Sequence, residues 1–177
     1  MDYCEASVWA ASLFVPHDID GLAQLRGGKE KLLENLDALF AAPSRYSKAN
    51  EKAYWGGAIH EMAEMAEVDF GQCAISNQPS FHIPWLYAAL NRPDKTDYWV
   101  GRISRELFSS ADDGFPGDED NGCTAAWYIF AMLGLYPLCP GKAEYVKGKM
   151  LVKTAKINGK DWHGERFGAF INHQGVI

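Results

Sequence analysis

Between Asp18 and Met132, apolar residues recur at the helical period, and Gly or Pro repeatedly cuts the run into short units. Asp18 to Arg26 opens with a capping-type Asp and stops at Gly27-Gly28, a pair suited to a left-handed helix exit. Leu32, Leu33, Leu36, Leu39 and Phe40 form the next stripe, which Pro43 halts. Ile59, Met62, Met65 and Ala66 follow Gly56-Gly57 on a third. The spacing predicts further helices over Ile83 to Leu90, closed by Pro93, over Lys95 to Phe108, and over Thr124 to Leu133, closed by Gly134. Stacked antiparallel helices joined by loops are the expected architecture. After Pro137 the character changes: Lys147 to Lys160 mixes Val, Leu and Ile with Lys and ends in Asn158-Gly159, the dipeptide of tight hairpins. Short strands are expected from about Tyr145. The chain therefore reads as mainly α over residues 1–140, with a β-rich segment over 141–177.

Charge and length narrow the functions open to such a chain. Its 177 residues suit one domain, and 17 Lys+Arg against 23 Asp+Glu leave a net charge of −6 with no basic block. A nucleic-acid partner is thereby disfavoured, because phosphate binding needs a concentrated basic face. No apolar run approaches the roughly 20 residues that span a bilayer, so no membrane span is expected. Asp2 and Glu5 stand where a signal peptide carries positive charge. Cys4, Cys73, Cys123 and Cys139 form no CxxC pair, which points to neither a zinc ribbon nor a dithiol redox motif. They read as small buried hydrophobes.

Acidic groups gather beside glycines or aromatics at three places. In Tyr3-Cys4-Glu5-Ala6-Ser7-Val8-Trp9 one carboxylate sits among apolar neighbours, an environment that disfavours its charged form and suits a general acid. In Gly56-Gly57-Ala58-Ile59-His60-Glu61-Met62-Ala63-Glu64 a helix puts Glu61 and Glu64 on one face, where their oxygens can converge on a hard cation. His60 lies beside them, able to meet a ligand hydroxyl. The run begins like the zinc motif H-E-x-x-H, but Glu64 replaces the second His, which counts against a zinc peptidase. In Asp113-Gly114-Phe115-Pro116-Gly117-Asp118-Glu119-Asp120-Asn121-Gly122 a turn stiffened by Gly and Pro can aim Asp118 and Asp120 the same way. Paired carboxylates of that kind can take a proton from water. An EF-hand reading fails, because Ile129 occupies the position of its bidentate Glu.

These clusters, in this order, resemble the catalytic domain of glycoside hydrolase family 92, the calcium-dependent exo-acting α-mannosidases. The likeness also runs through Phe14-Val15-Pro16-His17-Asp18, Leu25 to Gly28, Leu36-Asp37-Ala38-Leu39-Phe40, Asn77-Gln78-Pro79, Ala126-Trp127-Tyr128, Gly134-Leu135-Tyr136-Pro137 and Cys139-Pro140-Gly141. It covers about residues 3–148. The resemblance implies a partial (α/α)6 toroid, with Glu5 as general acid and Asp118 and Asp120 as, or supporting, the general base. It further implies His60, Glu61 and Trp9 at the sugar, and a Ca2+ ion near Glu61, Glu64 and Asn77. Hydrolysis of terminal α-linked mannose, α-1,2 in linkage, by an inverting and calcium-assisted route is the implied activity, with a mannose-containing glycan or mannoside as substrate. Glu5 is retained where family members that cleave mannosyl-phosphate diesters tend to have Gln. Ala6-Ser7 and Ala10 depart from the usual residues of the first segment, which implies an altered sugar-binding shell.

Family members are several times longer than this chain. The expectation is a C-terminal portion of a larger enzyme, missing its N-terminal part and weak or silent by itself. A calcium- and mannoside-binding remnant without catalysis is the competing expectation.

Overall fold

In a computed structural model, the structure describes residues 5–45, 59–164, 169–172 and 176. Among them are seven α-helices followed by five short strands: α1 Val8–Ala11, α2 Ile19–Leu25, α3 Lys29–Ala41, α4 His60–Val68, α5 Ile83–Ala89, α6 Pro93–Glu106, α7 Cys123–Leu133, β1 Leu135–Tyr136, β2 Glu144–Lys147, β3 Ala155–Ile157, β4 Lys160–Trp162 and β5 Phe170–Asn172. Tyr3, Cys4 and Gly56 to Ala58, which belong to the motifs above, lie outside the described residues.

The core forms around α5. Its sequence IPWLYAA is apolar on every side, so residues 83 to 88 can all be buried, with α3, α6 and β2 packed about them. Across the contact, α6 turns inward a stripe of Thr96, Val100, Gly101, Ile103 and Ser104 at helical spacing. The buried Thr96 hydroxyl accepts the Ala88 N–H and donates to the Pro84 carbonyl, so it ties α6 to α5 with its own hydrogen-bonding capacity met. Phe40 stacks on Trp99 and on Tyr87, so α3 closes the same core.

A second joint holds the segment leading to the site. Gly71 has φ +63°, and a Cβ there would lie 2.4 Å from the Leu39 carbonyl oxygen, so only glycine lets the chain pass the end of α3. The Gln72 N–H then donates to that carbonyl, and its side chain donates to the Pro43 and Arg45 carbonyls. The first bond satisfies an acceptor that the end of α3 leaves open, and the other two hold the chain that follows it.

At the C-terminal end β1, β2 and β5 form an antiparallel sheet in the order β1-β2-β5, and β3 pairs with β4. Asn158 and Gly159, both at positive φ, make the tight turn of the β3–β4 hairpin expected from their dipeptide. A small cluster of Leu135, Trp162 and Val176 seals this region, and the Trp162 indole donates to the Leu133 carbonyl at the end of α7. No helix among the described residues is long and apolar enough to cross a membrane.

Three features depart from the expectations. The sheet starts at Leu135 rather than near Tyr145, because two residues are too few to show a period of two and only pairing with Val146 and Lys147 makes them a strand. Helix α1, capped by the Ser7 hydroxyl on the Ala10 N–H, was masked by its brevity. Of the cysteines, Cys73 is buried, but Cys123 is exposed and Cys139 only half-buried, since both stand at chain reversals rather than in the core.

Candidate active site

One open cleft of about 230 Å³ is lined by Glu5, His60, Glu61, Glu64, Ser76, Asn77, Asp118 and Asp120. Four chain segments meet there. Glu5 comes from the stretch before α1, the His60 to Glu64 group from the first turns of α4, Ser76 and Asn77 from the loop after Gly71, and the two Asp residues from the loop before α7. The acidic residues singled out in the three separate sequence clusters thus share one cleft, as does His60. Trp9 is not among its lining residues; it stands 40% exposed on α1.

Helix geometry aligns Glu61 and Glu64 because three residues advance the chain by nearly one turn. The His60 Nε2 lies 3.2 Å from Glu61 Oε1 and 3.6 Å from Asp118 Oδ2, joining α4 to the acidic loop. Glu61 Oε2 is buried with no hydrogen-bond partner, and so is the Ser76 hydroxyl. Burial raises the Glu64 carboxyl above the usual carboxylate range; the negative charges of Asp118, Glu61 and Glu67 push it the same way, and His60 partly offsets them. Glu5 is exposed at the cleft rather than enclosed by the apolar residues next to it in sequence.

The acidic loop owes its shape to crowding and capping. A Cβ on Gly117 would lie 2.5 Å from the Ser76 carbonyl oxygen and 2.9 Å from Glu64 Oε2, so glycine allows the loop to press against both. Asp120, Asn121 and Gly122 then follow one another at positive φ, a reversal that Asp, Asn and Gly tolerate better than other residues. Glu119, between the two Asp residues, turns away: its carboxylate accepts the Gly122 and Ala125 N–H groups at the start of α7. Thr124 adds a bond from its hydroxyl to the Asp118 carbonyl. Glu119→Ala removes this cap and is expected to cost about 1 kcal/mol, read as a fall in Tm of roughly 2–4 °C; an unchanged Tm contradicts the capping role.

Sequence reading passed over Ser76 and Gln78. Gln78 Nε2 donates to Asp120 Oδ2. A Gln has no chemistry of its own by residue type, and its only signal was its place beside Asn77.

The cleft has an all-oxygen donor set apart from His60, and the orphaned Glu61 Oε2 beside the desolvated Glu64 is a place where a hard cation fits. Among the described residues, no three His, Cys, Asp or Glu side chains are gathered closely enough to hold a metal ion by themselves. Chemically, the arrangement offers several carboxyl groups and an imidazole around a space open to solvent. That combination suits acid–base work on a polyhydroxylated ligand.

Known proteins resemble this chain in sequence and in fold. In Bacteroides thetaiotaomicron, an inverting mannosidase of family GH92 has a solved structure that matches at a TM-score of 0.70 and 33% identity, over 98% of this chain and 26% of that one. A second GH92 α-mannosidase of that organism, in complex with mannoimidazole, matches in fold at a TM-score of 0.75 and 21% identity, over 97% of this chain and 24% of that one. An uncharacterized secreted glycosidase of Arthroderma benhamiae is 28% identical over 141 residues, 80% of this chain and 14% of that protein. The chain thus spans about a quarter or less of the length of these relatives. The family model of the glycosyl hydrolase family 92 catalytic domain matches residues 1–169, and the chain belongs to that family.

Proposed function

We propose that this chain carries the acid–base centre of an inverting exo-α-mannosidase. The observation that carries the reading is the single cleft in which Glu5, Asp118 and Asp120 meet with His60 and Glu61. Glu5 donates its proton to the departing glycosidic oxygen, while Asp120, with Asp118 beside it, takes a proton from the water that attacks the anomeric carbon from the opposite face. The products are an alcohol and mannose of inverted configuration. His60, held between Glu61 and Asp118, orients a sugar hydroxyl. Terminal α-1,2-linked mannose is the substrate proposed.

Glu61 and Glu64 would hold a Ca2+ ion as a partial oxygen shell, with the Asn77 carbonyl oxygen within the same cleft, water and substrate hydroxyls supplying the rest. When bound, the ion would steady the vicinal hydroxyls of a distorted ring. The helices are proposed as part of an (α/α)6 toroid, with the rest of the sugar pocket supplied by chain beyond these 177 residues. The openness of the cleft supports this: the side chains of His60 and Asp118 are 60% and 73% exposed, too accessible for a finished pocket. The isolated chain is accordingly expected to release little mannose.

The test is mannose release from an α-1,2-mannobioside by the full protein, with calcium and after chelation. Release that falls on chelation and returns with calcium, lost in Glu5→Gln, is the expected result. Absence of release in calcium, or wild-type rates in Glu5→Gln, overturns the reading.

A further inference from the structure

Both carboxylates proposed for the reaction sit on residues whose backbone is in the left-handed region, Glu5 at φ +55° and Asp120 at φ +54°. For residues with a Cβ this conformation costs energy and persists where the surroundings fix it. The surroundings here include one dipeptide. Asn77, 4% exposed, donates from Nδ2 to the Glu5 carbonyl at 3.0 Å, across 72 positions of sequence. Its Oδ1 accepts the N–H of Gln78 at 2.9 Å, which sets the direction in which Gln78 leaves the loop. Gln78 in turn donates to one oxygen of Asp120.

The dipeptide is itself fixed. The Asn77 N–H donates to the Ala74 carbonyl, Ser80 N–H to the Asn77 carbonyl, and Phe81 N–H to the Gln78 carbonyl, a 3-10 turn with Pro79 in it. A rigid turn thus touches the backbone of one proposed catalytic residue and the carboxylate of the other.

We propose that Gln78 is a positioning residue for the general base: its amide holds Asp120 Oδ2 so that Oδ1 faces the attacking water, and Asn77 references that grip to the backbone of Glu5. The inference rests on the mannosidase reading above. An inverting reaction needs acid and base far enough apart to admit water, so an error of about 1 Å in either carboxylate lowers the rate roughly 10²-fold. A neutral amide suits the task, since it supplies a donor while adding no counter-charge to the cleft.

Gln78→Met keeps the length of the side chain and removes the donor; Gln78→Glu keeps the shape and replaces the donor with an acceptor. The measurement is kcat and KM for mannoside hydrolysis in the full protein, for each variant alone and with Asp120→Asn, together with Tm. Gln78→Met is expected to lower kcat at least tenfold with KM within about twofold and Tm nearly unchanged, and Gln78→Glu to lower kcat at least as much. In the Asp120→Asn background, Gln78→Met should change kcat by less than about twofold, because its effect passes through the base. A kcat in Gln78→Met within twofold of wild type overturns the inference alone, as does an equal further loss on top of Asp120→Asn. A silent wild-type enzyme overturns the mannosidase reading and this inference with it.

Discussion

Asp120→Asn is expected to lower kcat for mannoside hydrolysis by about 10²–10⁴-fold, with KM changed little. The amide has nearly the shape of the carboxylate, and its oxygen can still accept the bond from Gln78, so the loop geometry survives while proton abstraction from water does not. Asp118→Asn should cost less. That carboxylate lies 3.6 Å from His60 Nε2 and acts as a neighbour that helps to hold the imidazole. Steady-state rates on one mannoside at saturating calcium separate the two. A rate in Asp120→Asn within threefold of wild type removes it as the base, and a larger loss in Asp118→Asn exchanges the two roles.

Acid is expected to destabilise the fold through His82. This residue, at the start of α5, is buried, with its ring edge-on to Phe14 and Nε2 against the Leu13 carbonyl. Desolvation lowers its pKa from 6.5 to about 4, although the Leu13 and Pro79 carbonyls favour the protonated ring and oppose part of the shift. The folded state therefore holds the ring neutral where the unfolded chain would already bind a proton. Between pH 6.5 and 4 the unfolded state binds more protons, so stability falls as the pH falls. The contribution is fully present above pH 6.5 and declines by roughly 3 kcal/mol on the way to pH 4. Urea unfolding across that window reads it, and His82→Gln, which keeps a donor for Leu13, should flatten the slope by about one proton. Equal slopes in both proteins would remove His82 as the titrating group.

Much of this molecule is legible in its sequence. Of the stripe of Leu32, Leu33, Leu36, Leu39 and Phe40, all but Leu33 are buried and Leu33 is half-buried at its edge, because a helix must hide one face. The same holds for the Gly134 exit of α7, left-handed as a glycine permits, and for the Asn158-Gly159 hairpin. Strand β1 could not be read, because two residues carry no pattern and their conformation comes from their partner strand. Glu119 shows the limit at the site. Flanked by two carboxylates of equal chemical type, it differs from them only in turning toward the open N–H groups of α7. Gln78 was legible as a neighbour of Asn77 and no more, since its bond to Asp120 joins positions 42 residues apart.

By itself the sequence determined the helical period, the breaks between helices and the chemical kinds of the cleft residues, because these depend on neighbours within a turn or two. The tertiary structure alone decided which of the acidic groups face one another, which oxygen is left buried without a partner, and which side chain turns away to cap a helix. Those outcomes depend on long-range approach of α4, the Asn77 turn and the loop before α7, held by Gly71 and Gly117 where no Cβ would fit. Contacts of that range are set by packing the α5 core, and no local pattern records them.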